Sequence, residues 1–103
     1  MLMNIKRKKE NSNLFVVVSG RIDTVTAPEF EAGVKPYLEG VAELTIDFAG
    51  VNYVSSAGLR VLLSLQKKMM TQGEMKLLNV SAAVNDVFEV TGFDEILTYE
   101  VGE

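Results

Sequence analysis

Residues 3–10 and 14–19 read as two extended stretches broken by the polar Asn11-Ser12-Asn13, which predicts an opening β-hairpin. The second stretch, Leu-Phe-Val-Val-Val, is a nearly continuous apolar run, the composition of a strand buried on both faces. Thr26 followed three positions later by Glu29 is a capping-box pattern, Pro28 falls in the first turn and Gly40 supplies a stop, so a helix is expected over about 27–39. Phe30, Val34, Tyr37 and Leu38 share one face of it, and Pro36, which cannot donate to the carbonyl of Ala32, should kink or end its last turn. Residues 44–48, Leu-Thr-Ile-Asp-Phe, predict a strand with Asp47 near its end. Over 57–72 the apolar positions Leu59, Leu62, Leu63, Met69 and Met70 form one stripe and Arg60, Ser64, Lys67 and Thr71 another; this spacing predicts an amphipathic helix packed on the sheet and ended by Gly73. A strand over 75–80 follows, then a helix capped by Ser81 and carrying Val84, Val87 and Phe88, stopped by Gly92, with residues 96–99 forming a last strand or short helix. Strands alternating with helices make the later part of the sheet parallel. The expected class is α/β, with a mixed four- to five-stranded sheet, an N-terminal hairpin and three or four helices.

Composition narrows the chemistry. A chain of 103 residues with 48% hydrophobic and 23% charged residues and two prolines fits one folded, soluble domain spanning 1–103. With no Cys and no His, it has no disulfide framework, thiol nucleophile, imidazole base or zinc site of the usual kind, and no cofactor or metal is expected. The absence of cysteine fits a reducing cytoplasm. No apolar run approaches the ~20 residues of a membrane-spanning helix, and no signal peptide is recognisable, so no membrane insertion is expected. The net charge of −4 argues against direct nucleic-acid binding. Lys6, Arg7, Lys8 and Lys9 cluster near the start, whereas residues 81–103 hold six acids and no base; the basic run reads as a solvated edge strand.

The most informative segment is Asp47-Phe48-Ala49-Gly50-Val51-Asn52-Tyr53-Val54-Ser55-Ser56-Ala57-Gly58-Leu59, where a strand ends, a loop crosses and two serines stand at a helix start. One of them is expected to cap the helix, a bond that stabilises by ~1 kcal/mol. A hydroxyl at a helix N-terminus is also well placed to carry a phosphate, because free N–H groups and the positive dipole end favour added negative charge. Position alone leaves both roles open. Gly58 is expected to let the helix start approach the sheet closely, and Tyr53, Val54, Met69 and Met70 have ordinary packing roles.

This segment resembles the signature of the STAS domain, the fold of bacterial anti-sigma-factor antagonists. The resemblance extends to Gly20-Arg21-Ile22-Asp23, to Thr26-Ala27-Pro28-Glu29 and to Val90-Thr91-Gly92-Phe93, and so takes in nearly the whole chain. It implies an anti-sigma-factor antagonist whose Ser56 is the acceptor for a serine kinase that is also its anti-sigma-factor partner. The unmodified form binds that partner and frees sigma; a phosphatase of the PP2C type reverses the modification. It further implies that Asp23, Thr26, Ser55, Ser56, Ala57 and Gly58 contribute to the partner surface. The sequence departs from the best-studied members at Ser55, where they carry Asp, and this second hydroxyl makes Ser55 the alternative acceptor.

Two other classes stand beside this one. The same fold serves as a non-switching scaffold subunit of larger assemblies, such as a lipid-transport ABC system. An enzyme would draw on Asp23, Asp47 and the serines, but a serine nucleophile needs a base, and Lys67 and Lys68 lie more than two turns from Ser56. Intrinsic catalysis is therefore not expected.

Overall fold

A computed structural model describes residues 3–102; Met1, Leu2 and Glu103, the ends of the expected 1–103 domain, lie outside the described residues. Strand β1 (Asn4–Glu10) pairs antiparallel with β2 (Asn13–Ser19) in the expected hairpin. Helix α1 (Ala27–Val34), β3 (Glu43–Gly50), α2 (Ser56–Met70), β4 (Glu74–Val80), α3 (Ala82–Thr91) and β5 (Tyr99–Val101) follow. The five strands lie in the order β1-β2-β3-β4-β5, with every pair after the hairpin parallel.

That order has a structural consequence. Each of the three crossovers moves the chain one place in the same direction, and right-handed crossovers then put α1, α2 and α3 on one face of the sheet. The other face carries no helix among the described residues. Strand β2 accordingly alternates: Leu14, Val16 and Val18 are buried, while Phe15 and Val17 are 40% and 47% exposed. The expectation of burial on both faces is thus corrected, because an apolar run does not tell how many faces of the sheet are covered.

Proline acts where expected. The α-helix stops at Val34 and tightens into a 3₁₀ turn over Lys35–Tyr37, since Pro36 cannot supply the next α-type bond. Phe30, Val34 and Leu38 are buried, but Tyr37 turns outward and lies under the guanidinium of Arg7, 4.0 Å from its ring centroid. Arg7 also donates to the carbonyl of Gly33, and Lys9 to that of Glu39. The basic run is therefore an edge strand, as expected, and alternate cations of it strap the end of α1 and the turn that follows it.

Helix α2 rests on the sheet through Leu59, Val61, Leu62, Leu65 and Met69. Leu63 is only half-buried and Met70 is 70% exposed, so the stripe is rotated from the expected one. Apolar side chains occupy both flanks of this helix, and packing against α1 as well as the sheet selects the flank. Phe30 meets Phe48 edge to face at 6.3 Å, and Phe88 meets Tyr99 similarly at 5.0 Å. Of the last strand or short helix expected over 96–99, both occur but displaced: Phe93–Glu95 form a 3₁₀ turn and the strand is Tyr99–Val101.

Candidate functional site

Beyond β2 and β3 the two chains that leave the sheet meet once more. Ile22 and Val54 form an isolated parallel bridge, with Ile22 N donating to Tyr53 O at 2.9 Å and Ser55 N donating to Ile22 O at 2.8 Å. This bridge sets Asp23 beside Ser55, bringing together the two motif segments that lie far apart in sequence.

Asp23 organises the first segment. Its Oδ1 accepts from the backbone amides of Val25 and Thr26, at 2.9 and 3.0 Å. The Thr26 hydroxyl accepts from Asp23 N at 2.9 Å and donates to the carbonyl of Arg21 at 2.5 Å. Thr26 is buried and its backbone is already helical (φ −91°, ψ −17°), and its side chain makes no cap bond. The expected capping box is thus replaced: Asp23 holds the leading amides, and because Thr26 N is already taken by Asp23, the Glu29 carboxylate has no amide to reach back to. A cap requires a residue still outside helical geometry, which Thr26 is not. The amide of Thr26, joined by the amide of Val25, the Thr26 hydroxyl and the nearby Arg21, holds the Asp23 carboxyl below its ordinary range against a partial loss of hydration.

The second segment starts α2. Ser55 is extended (φ −88°, ψ 176°) and its Oγ accepts from Gly58 N at 3.4 Å, so Ser55 is the cap. Ser56 is the first residue inside the helix and is exposed; its hydroxyl makes no hydrogen bond among the described residues. Ala57 is half-buried and Gly58 buried. A Cβ at Gly58 would stand 2.6 Å from Ile22 Cγ2, 2.8 Å from Val54 Cγ1 and 3.3 Å from the Ile22 carbonyl. Glycine is needed there because the helix start presses against the Ile22–Val54 bridge, the close approach that the sequence suggests.

Arg21 has no role that the sequence alone assigns. Its guanidinium lies 4.0 Å over the Tyr53 ring, with Nε 3.7 Å from Asp23 Oδ2, a cation–π contact that ties the two segments across the outside of the bridge. Tyr53 is 40% exposed and so serves this contact and not the core; Val54 is buried as expected. The available signal was a cation and an aromatic, each inside a motif segment, but only the bridge makes them neighbours. Of the other acidic candidates, Asp47 lies apart: its Oδ1 accepts from Ala49 N at 2.9 Å and from the Asn79 amide at 3.1 Å. No helix among the described residues is long and apolar enough to cross a membrane.

Known proteins resemble this chain in sequence and fold. The chain is 32% identical over 98 residues to the anti-sigma-B factor antagonist of Bacillus subtilis (strain 168), covering 94% of this chain and 90% of that protein. Its fold superposes on the crystal structure of an anti-sigma factor antagonist from Mycobacterium paratuberculosis with a TM-score of 0.84 at 24% identity, over 94% of this chain and 84% of that one. It is also similar to the anti-sigma factor antagonist SpoIIAA in its unphosphorylated form (TM-score 0.78, 17% identity, 95% and 89% covered). The phosphorylated form of the same Bacillus protein gives a TM-score of 0.70 at 16% identity, with 95% and 92% covered. The family model described as the STAS domain matches residues 4–102, and the chain therefore belongs to the STAS domain family.

Proposed function

We propose that this protein is a cytoplasmic anti-sigma-factor antagonist that acts as a single domain, and that Ser56 is its switch. Unmodified, the surface formed by Asp23, Thr26 and residues 55–58 binds an anti-sigma factor that is also a serine kinase, and sigma is released. Transfer of a phosphate to Ser56 ends that binding, and a PP2C-type phosphatase restores it. The chain itself performs no catalysis in this cycle.

One observation carries the choice of serine. Ser55 is half-buried and its Oγ accepts from the Gly58 amide, whereas Ser56 stands exposed at the first position of α2. A kinase needs a hydroxyl it can reach and turn, and the second answers that need better. The phosphate would then sit at the positive end of the helix dipole, where negative charge is locally favoured by ~0.3–1 kcal/mol. Facing a partner, the same charge must shed its water, and against carboxylates around a kinase active site the cost reaches several kcal/mol. The protein can thus keep its fold while it loses its partner. Relatives that bear the antagonist name, and a fold neighbour known in phosphorylated and unphosphorylated forms, support the reading.

Incubation with the cognate kinase and ATP should add one phosphate. Mass spectrometry of Ser55→Ala and Ser56→Ala tests the site: label kept in the first and lost in the second is expected. Label that survives Ser56→Ala and disappears with Ser55→Ala overturns the assignment.

A further inference from the structure

The exposed side of α2 continues away from Ser56 as a line of cations. Arg60 lies one turn on, at i+4, followed by Ser64 and then Lys67 and Lys68, so the strip runs about 18 Å from Ser56 at 1.5 Å per residue. Lys35, at the end of α1, joins it from the side: its Nζ donates to Ser64 Oγ at 2.8 Å and lies 3.8 Å from Glu31 Oε2. Lys35, Arg60, Leu63, Ser64, Lys67 and Lys68 together line an open groove between the two helices. Among the described residues, Arg60, Lys67 and Lys68 have no carboxylate partner, and Lys35 is the one cation of the groove that does.

Ordinary helix chemistry explains part of this. Lys67 and Lys68 stand in the last turn of α2, where cations offset the negative end of the dipole. Arg60, near the opposite end, gains nothing from that effect. A cationic groove is also conspicuous on a chain whose net charge is −4.

We infer that this groove receives an acidic segment of the partner protein that grips the turn at residues 55–58; the inference rests on the function proposed above and extends its interface along α2. Continuity supports it, because the strip begins on the same exposed helix face as Ser56 and one turn away. Charge complementarity supports it too. Nucleic acid is the weaker occupant, since the overall negative charge repels a polyanion of that size. The groove then gives the encounter its rate and orientation, while the Ser56 turn decides whether the complex holds.

Two arms test this. In the first, affinity for the cognate anti-sigma factor is measured against ionic strength for wild type, Arg60→Glu/Lys67→Glu, the neutral Arg60→Gln/Lys67→Gln, and Ser56→Asp. The reversal should weaken binding about tenfold at low salt and flatten the salt dependence, with the neutral pair in between. Unchanged affinity in the reversal, beside lost affinity in Ser56→Asp, overturns the groove and leaves the switch standing. In the second, an unlabelled peptide of alternating Glu and Leu is titrated into the isotope-labelled wild-type protein and followed by NMR. Shifts at Lys35, Arg60 and Lys67 that vanish in the reversal are expected even if the anti-sigma factor does not bind. No shifts there, or tighter binding of a DNA duplex than of the peptide, overturns the inference.

Discussion

Helices α2 and α3 begin in the same way but present different surfaces. Each follows a strand and is capped by a serine in extended geometry, Ser55 accepting from Gly58 N at 3.4 Å and Ser81 from Val84 N at 3.2 Å. In both, the third residue of the helix donates to the cap and is buried. The residues between differ. In α3 they are Ala82 and Ala83, exposed and inert; in α2 they are Ser56, an exposed hydroxyl, and Ala57. The third residue differs as well, Val84 filling space in the core and Gly58 leaving room for the Ile22–Val54 bridge. Capping is thus a structural service that any helix start needs, and it says nothing about function. What sets α2 apart is the hydroxyl left over after capping and the second chain segment drawn up against it.

The largest expected effect strikes that second feature. Gly58→Val would drive methyl groups into Ile22 and Val54, whose branched side chains have little rotamer freedom to yield. A loss of about 3 kcal/mol is expected in denaturant unfolding, at the upper end of overpacking costs. Next comes Thr26→Val, which keeps the shape but strands the Asp23 amide and the Arg21 carbonyl. About 2 kcal/mol should be lost, and Thr26→Ser should recover most of it, because the unpaired backbone groups carry the penalty. Removing either cap, Ser55→Ala or Ser81→Ala, should cost about 1 kcal/mol and affect the two helices alike. Ser56→Ala should change stability by less than about 0.5 kcal/mol. A large loss there would mean that Ser56 supports the fold and is not merely displayed.

The same segment predicts a pH dependence. Asp23 titrates below its ordinary value of 3.8 in the folded protein, so the unfolded chain takes up its proton first as pH falls. Its contribution is complete above that ordinary value and is lost as pH drops through the lower folded one. Thermal midpoints of wild type and Asp23→Asn, followed from neutral to strongly acidic pH, should therefore converge in acid. A gap that stays constant across the range would contradict the hydrogen-bonded carboxylate.

Much of this was legible in the sequence because several local signals agreed. Polar breaks, Pro36, Ser81 and Gly92 punctuate the chain, and Gly92 takes the left-handed φ of 81° that a helix stop requires. Three features were not legible, each for a physical reason. Which flank of α2 is buried depends on the direction from which α1 packs, so Val61 and Leu65 replace Leu63 and Met70 in the core. Whether β2 is covered on one face or two depends on the handedness of crossovers far along the chain. Which residue caps α1 depends on where the backbone turns helical, and that places Asp23 in the role expected of Thr26. At the site, adjacent serines look equivalent in sequence; their difference arises where extended geometry gives way to helix, between Ser55 and Ser56.

In the proposed function α2 and α3 share a helix start, and α2 alone carries the switch. Ser56→Asp and Ala82→Asp place the same charge at the same position of the two helices. Thermal unfolding and affinity for the cognate anti-sigma factor should be measured on both beside wild type. Both variants are expected to keep or slightly gain stability, as the dipole favours the charge. Ser56→Asp alone should lose affinity, by about a hundredfold for a penalty of ~2.7 kcal/mol, with Ala82→Asp indistinguishable from wild type. Equal affinity in all three would reduce Ser56 to an ordinary first-turn residue and move the protein toward a non-switching scaffold.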